Sequence, residues 1–304
     1  MKCCARQPLV LAVAAALLLS PACMRYAMNK VGDAVAKTGT TFASDNDPEF
    51  VGEAVPFGLK LIESLLAENP RHRGLLVAAA SGFTQYAYAF LQQPADELEA
   101  EDLAKATALR TRARKMYLRA RDYGLRGLGL SRAGFESQLR RDPKSAVRGI
   151  SRRDVPLLYW TAAAWGSAIA LSKDSPELIA DQPAVEALID RALELDEQFD
   201  HGAIHSFLIA YEPSRRGAAG DAFERSRRHF ERAMELSGGR LAGPLVAYAE
   251  AVPLARQDRK EFEALLRRAL EIDPDAWPEF RLANLIVQRR ARWLLSRLDE
   301  LFLE

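Results

Sequence analysis

The chain has 304 residues, 49% of them hydrophobic, and balances 42 Lys and Arg against 41 Asp and Glu. That balance excludes a protein whose main partner is nucleic acid or an anionic membrane surface, since both demand a basic excess. The 3 cysteines all fall by position 23, so no disulfide staples the body, and stability must come from a hydrophobic core.

Lys2 and Arg6, the apolar run from Pro8 to Leu19, and the small residues Ser20-Pro21-Ala22 predict a secretory leader over residues 1–22, cut before Cys23. Cys3 and Cys4 leave with it. Cys23 would then be an unpaired thiol in an oxidising compartment, a liability that acylation removes, so Cys23 is the expected lipidation site of a lipid-anchored periplasmic protein. A lipoprotein leader usually carries a large aliphatic residue where Ser20 stands, and Ser20 and Ala22 also suit ordinary signal peptidase, so export without lipid is the alternative. Met24 rather than aspartate after the cysteine favours the outer membrane under the enteric sorting rule.

Residues 23–47 are small and polar and read as a tether, and residues 48–304 read as a single helical domain. Strand-like alternation is almost absent, so the fold class expected is all-α. One pattern recurs: small or apolar, large apolar, then small or aliphatic, at helical spacing. It occurs as Gly58, Ile62, Leu65; Ala113, Tyr117, Ala120; Val185, Ile189, Ala192; Ser226, Phe230, Ala233; and Phe262, Leu266, Ala269. Pro70 and Pro274 close two of these units, and Glu-Leu or Glu-Ile pairs follow three. This resembles the second helix of a tetratricopeptide repeat, with irregular spacing between units; an ordinary helical bundle is the alternative. The prediction is an irregular tetratricopeptide-repeat-like array of helical hairpins, an α-α superhelix.

Along the chain, Gln92-Gln93-Pro94 is expected to end one helix, and the acidic stretch Asp96 to Asp102 to open the next. The glycines and proline between Gly127 and Asp154 predict short helices and turns. Val155 to Leu171 is apolar nearly all round and predicts a buried helix. It falls short of the roughly 20 residues a membrane span needs, leaving the lipid anchor as the expected membrane contact.

Arg112 to Leu128 (RARKMYLRARDYGLRGL), the YWTAAAWG segment from Tyr159, and the closing NLIVQRRARWLLSRLDELF from Asn284, together with the leader, are similar to the T component associated with tripartite ATP-independent periplasmic (TRAP) transporters. The resemblance implies a periplasmic, helical, repeat-built lipoprotein that catalyses nothing and partners the transporter's substrate-binding subunit. It also implies self-association as a trimer and an internal cavity lined by apolar side chains through which a ligand passes.

The candidate sites are surfaces. No nucleophile elbow, phosphate loop or H-E-x-x-H motif is present, and no cofactor is expected. Tyr86, Tyr88, Phe90, Tyr159, Trp160, Trp165 and Phe207 sit at helical spacing, either as core or as lining of a ligand cavity, with core the commoner role for aromatic residues so placed. Arg112, Arg119 and Arg126 repeat at seven and form one stripe, suited to a carboxylate ligand or an acidic partner, or to internal pairing where Arg119 borders the core. His201 and His205, four apart, have the spacing of metal ligands on one helix face and would make a metal-dependent hydrolase the second alternative. The plainer reading has Asp200 capping a helix that carries two ordinary histidines. A general envelope-assembly scaffold is the first alternative.

Overall fold

Aspartates open four of the longer helices described for this chain. Asp47 Oδ1 accepts from Phe50 N, Asp102 from Lys105 N, Asp221 from Glu224 N and Asp258 from Glu261 N, each at 2.9 Å. Each cap pairs an amide that the first helical turn leaves without a partner. The computed structural model describes residues 30, 32, 34, 39–215 and 217–303. The leader and Cys23 lie outside these residues. Among them every regular element is helical, as the lack of strand signals predicts.

A short α1 (Gly39–Ala43) precedes α2 (Pro48–Glu68), α3 (Arg73–Leu98) and α4 (Leu103–Leu128). The glycine-rich stretch forms α5 (Phe135–Arg141) and α6 (Pro143–Val147). The apolar run becomes α7 (Val155–Ala170), which starts on Pro156 and is buried on most sides. Then come α8 (Pro176–Ile179), α9 (Gln182–Leu195), α10 (Ala203–Tyr211), α11 (Ala222–Ser237), α12 (Gly243–Ala251), α13 (Arg259–Glu271), α14 (Arg281–Ser296) and α15 (Leu298–Leu301).

Neighbours in sequence pack together: α2 on α3, α3 on α4, α4 on α7, α7 on α9, α10 on α11, α12 on α13, and α13 on α14. This succession of helix pairs is consistent with a repeat-like array. One core lies among α4 to α10 and a second among α10 to α15, while a smaller cluster joins α2 and α3 to α4. The array then returns on itself. α14 packs against α1 and α2, and Arg289 Nη2 donates to Ala89 O at 3.4 Å from 200 residues away.

The repeated pattern marks the packed faces. Ala113, Tyr117, Ala120, Val185, Ile189, Ala192, Phe262, Leu266 and Ala269 are all fully buried. Gly58 in the first unit differs, because a Cβ there would meet nothing within 4 Å.

Two expectations are corrected. Gln92-Gln93-Pro94 does not end a helix, because α3 continues through it by a π-helical turn, Tyr88–Gln92. Gln93 N donates to Tyr88 O across that wider turn, which gives the Pro94 ring room that a regular turn would deny it. The acidic stretch Asp96 to Asp102 mostly closes α3, and only Asp102 opens α4. Partners from other helices explain this, since Arg110 of α4 binds Asp96 at 2.9 Å and Glu99 at 2.7 Å. α3 has the length and composition to cross a membrane, but it packs against α2, α4 and α7 as a core helix does.

Candidate ligand cavity at the seam of the array

Where the first helices meet the last, the fit is incomplete and leaves a cavity of about 460 Å³. α2 contributes Val51, Val55, Leu59 and Ile62, α3 contributes Val77, Tyr86 and Phe90, α14 contributes Leu282, Ala283 and Ile286, and α1 closes one side with Phe42 and Ala43. Gly58 on α2 leaves space open in the wall, while Gly82 on α3 lets Leu59 approach closely beside it. The polar side chains in the wall are Ser81 and Gln85. Leu61, 41% exposed, lies at the rim, and beyond it Phe50 and Phe57 continue an exposed apolar stripe on α2. A larger, polar hollow of about 630 Å³ lies between Arg152 and His205, with walls largely from the single segment Leu193 to Gln198, and it lacks the apolar enclosure a small-molecule site needs.

Among the seven aromatic candidates, the structure brings Tyr86 and Phe90 together in the cavity wall, their ring centroids 5.7 Å apart. The other five lie elsewhere. Tyr159 packs edge-on to Trp160 and against Phe199, Trp165 is buried between the guanidinium groups of Arg121 and Arg140, and Phe207 stacks on Tyr211. Tyr88 lies outside the cavity wall and is 42% exposed overall, yet desolvation of its hydroxyl and the nearby Glu250 carboxylate push its phenol pKa up. There Arg290 binds Glu250 at 2.6 Å and lies 3.5 Å from Asp96.

The arginine stripe divides three ways. Arg112 is exposed. Arg119 lies 3.5 Å from Glu63 and over the Phe83 ring, and Arg126 donates to the Pro70 and Leu66 carbonyls, so these two tie α4 to α2. Burial alone would raise the Glu63 pKa, but hydrogen bonds from Lys60 and Tyr123 and the Arg119 charge outweigh it and hold the carboxyl below its usual range. Tyr123, half-buried and bonded to Glu63, is pushed up to about 12 by desolvation and by that bond.

The two histidines do not share a helix face. Asp200 (φ 45°), His201 (φ 55°) and Gly202 (φ 89°) form a left-handed turn before α10, so Asp200 makes no cap and His201 instead packs edge-on to Phe280. His205 pairs with His229 of α11, Nδ1 to Nδ1 at 2.8 Å, with Glu197 3.3 Å from its far nitrogen. Among the described residues no group of three or more His, Cys, Asp or Glu side chains is arranged to hold a metal ion.

Sequence reasoning missed most of the cavity wall. Val51, Val55 and Ile286 carry no local signal that sets them apart from other apolar helix positions, and the one local signal is Gly58, the least bulky residue among the pattern's first places.

The family model described as TRAP transporter T-component matches residues 44–302. The chain is also similar to an uncharacterized protein of Treponema pallidum (strain Nichols), 29% identical over 267 residues that cover 86% of this chain and 83% of the relative.

Proposed function

The chain belongs to the TRAP transporter T-component family, and from that premise we propose that it works as an envelope accessory to such a transporter, in contact with the substrate-binding subunit. It binds and presents, and performs no chemistry. The seam cavity takes a small apolar molecule, and the outer surface docks the subunit.

The lining of the 460 Å³ cavity carries the ligand half of this reading, because its walls are aliphatic and aromatic with two uncharged polar groups. A free carboxylate suits it less well. The neighbouring cations are engaged, Arg281 with Ser44 O and Asp275, and Arg289 with Ala89 O between Glu49 and Glu97, while an unpaired charge is costly to bury. In this reading the mature chain begins at Cys23, carries acyl chains there, stands on the periplasmic face of the outer membrane and associates as a trimer.

Native mass spectrometry of the detergent-extracted protein tests these points together. The expected spectrum shows an acyl mass on Cys23, three subunits, a retained apolar small molecule, and a shift on adding the purified substrate-binding subunit. Protein that retains no small molecule and does not hold the subunit would remove the reading.

A further inference from the structure

We propose that α1 is the movable wall of the seam cavity, clasped shut by Arg281, and that the ligand enters and leaves when this wall lifts. The inference rests on the reading of the cavity as an apolar ligand site.

Three walls of the cavity lie on long helices. α2, α3 and α14 each bury further side chains in a core cluster, so none moves without breaking a core. The fourth wall is different in kind. The described part of α1 spans 5 residues and contributes no side chain to a core cluster, so what holds it is its contact with neighbouring elements. Its neighbours are α14 and the Pro278–Phe280 turn.

Among the described residues, the hydrogen bonds around α1 divide into local ones and one that crosses. Asp45 N donates to Phe42 O at 3.1 Å, Ser44 Oγ to Thr41 O at 3.2 Å, and Asp47 N to Asp45 Oδ1 at 2.8 Å. These would travel with the segment if it swung. The crossing bond runs from Arg281 Nη1 to Ser44 O at 2.8 Å, and the exposed Asp275 carboxylate lies 2.7 Å from Arg281 Nε as an ion pair. A charged donor on a backbone carbonyl is among the stronger single bonds available.

Ser44 to Asp47 connects α1 to the capped start of α2 and supplies the pivot. Arg281 is thus a positioning residue, acting on the ligand through α1.

The test uses the mature chain carrying Cys23→Ser, with N-phenyl-1-naphthylamine as the apolar probe in stopped-flow fluorescence. Arg281→Ala is expected to speed probe association and dissociation about tenfold each, the equivalent of one charged hydrogen bond, with the dissociation constant held within about threefold. Amide exchange over residues 39–45 should rise in the same variant without probe. Arg281→Lys, which still offers a charged donor, should fall between, and it carries the test if the alanine variant fails to fold. Gly58→Leu, which fills the cavity, should abolish binding. Unchanged rates in Arg281→Ala with binding still lost in Gly58→Leu overturn the clasp and leave the cavity standing. Unchanged exchange over 39–45 overturns it as well. No binding to the unaltered cavity removes the ligand reading, and the gate with it.

Discussion

Gly124 on α4 faces Thr161 on α7 so closely that a Cβ on the glycine would stand 2.0 Å from Thr161 Oγ1 and 3.3 Å from its Cα. Gly127 repeats the relationship one turn later, with a Cβ position 2.6 Å from Leu157. The two helices meet here with backbone almost against side-chain root, and Thr161 Oγ1, bonded to Leu157 O at 2.5 Å, has little freedom to turn away. Gly124→Ala should therefore destabilise the protein by about 1–3 kcal/mol, the usual cost of overpacking, even though alanine is the better helix former by about 1 kcal/mol. Denaturant unfolding measures this as a lower midpoint with an unchanged slope. Adding Thr161→Ala should recover part of the loss.

Gly58 predicts the opposite. A Cβ there meets nothing within 4 Å, and the residue sits inside α2 without a positive φ. Gly58→Ala should stabilise by about 0.5–1 kcal/mol through helix propensity and a less flexible unfolded chain. The same variant narrows the cavity, so a higher melting temperature should come with weaker uptake of an apolar probe.

Arg290 and Glu250 join α14 to α12 with a 2.6 Å contact, and Arg290 also lies over the Trp293 ring at 4.4 Å. Its side chain is only 11% exposed. Arg290→Met leaves Glu250 without its partner in a place where burial already raises the carboxyl pKa. A loss of about 3–5 kcal/mol is expected by chemical denaturation, the range for breaking one side of a buried pair. The double variant with Glu250→Gln should lose less, since no charge is then left stranded.

His205 and His229 make stability depend on acid. Burial lowers both pKa values, with Glu197 partly opposing this at His205, and the His205 and Arg228 charges adding to it at His229, where Glu212 opposes; His229 falls from 6.5 to about 4. The unfolded chain then binds more protons than the folded one between these values, so stability is full above pH 6.5 and declines as pH falls toward 4. Melting temperature measured from pH 7 to pH 4.5 should drop, and His229→Asn should flatten the slope. Glu197, held down to about 2 first by its bond to Arg232, is ionised over most of this interval and adds its own loss in stronger acid.

The helices themselves were legible in the residues. Small-large-small spacing and the apolar run with its early proline that becomes α7 act over a few residues, and the structure places helices on them. The break expected at Gln92 to Pro94 failed because a proline signal assumes a regular turn, and the π turn removed the clash it relies on. The acidic run failed for a different reason. Its placement followed Arg110 and Arg290, which approach from helices that local sequence does not locate.

By itself, then, the sequence determined an all-helical chain, the faces its helices bury, and a family likeness carried by the Tyr123-Gly124 region and the closing helix. Only the tertiary structure decided that α14 returns to α2 and α3, that Tyr86 and Phe90 face a cavity while Trp165 fills a core, and that His205 meets His229 rather than His201. The physical reason is range. Periodicity is settled within a turn or two of helix, whereas a cavity is a shortfall in fit between surfaces distant in sequence, here surfaces joined by the bond of Arg281 to Ser44 O, 237 positions apart.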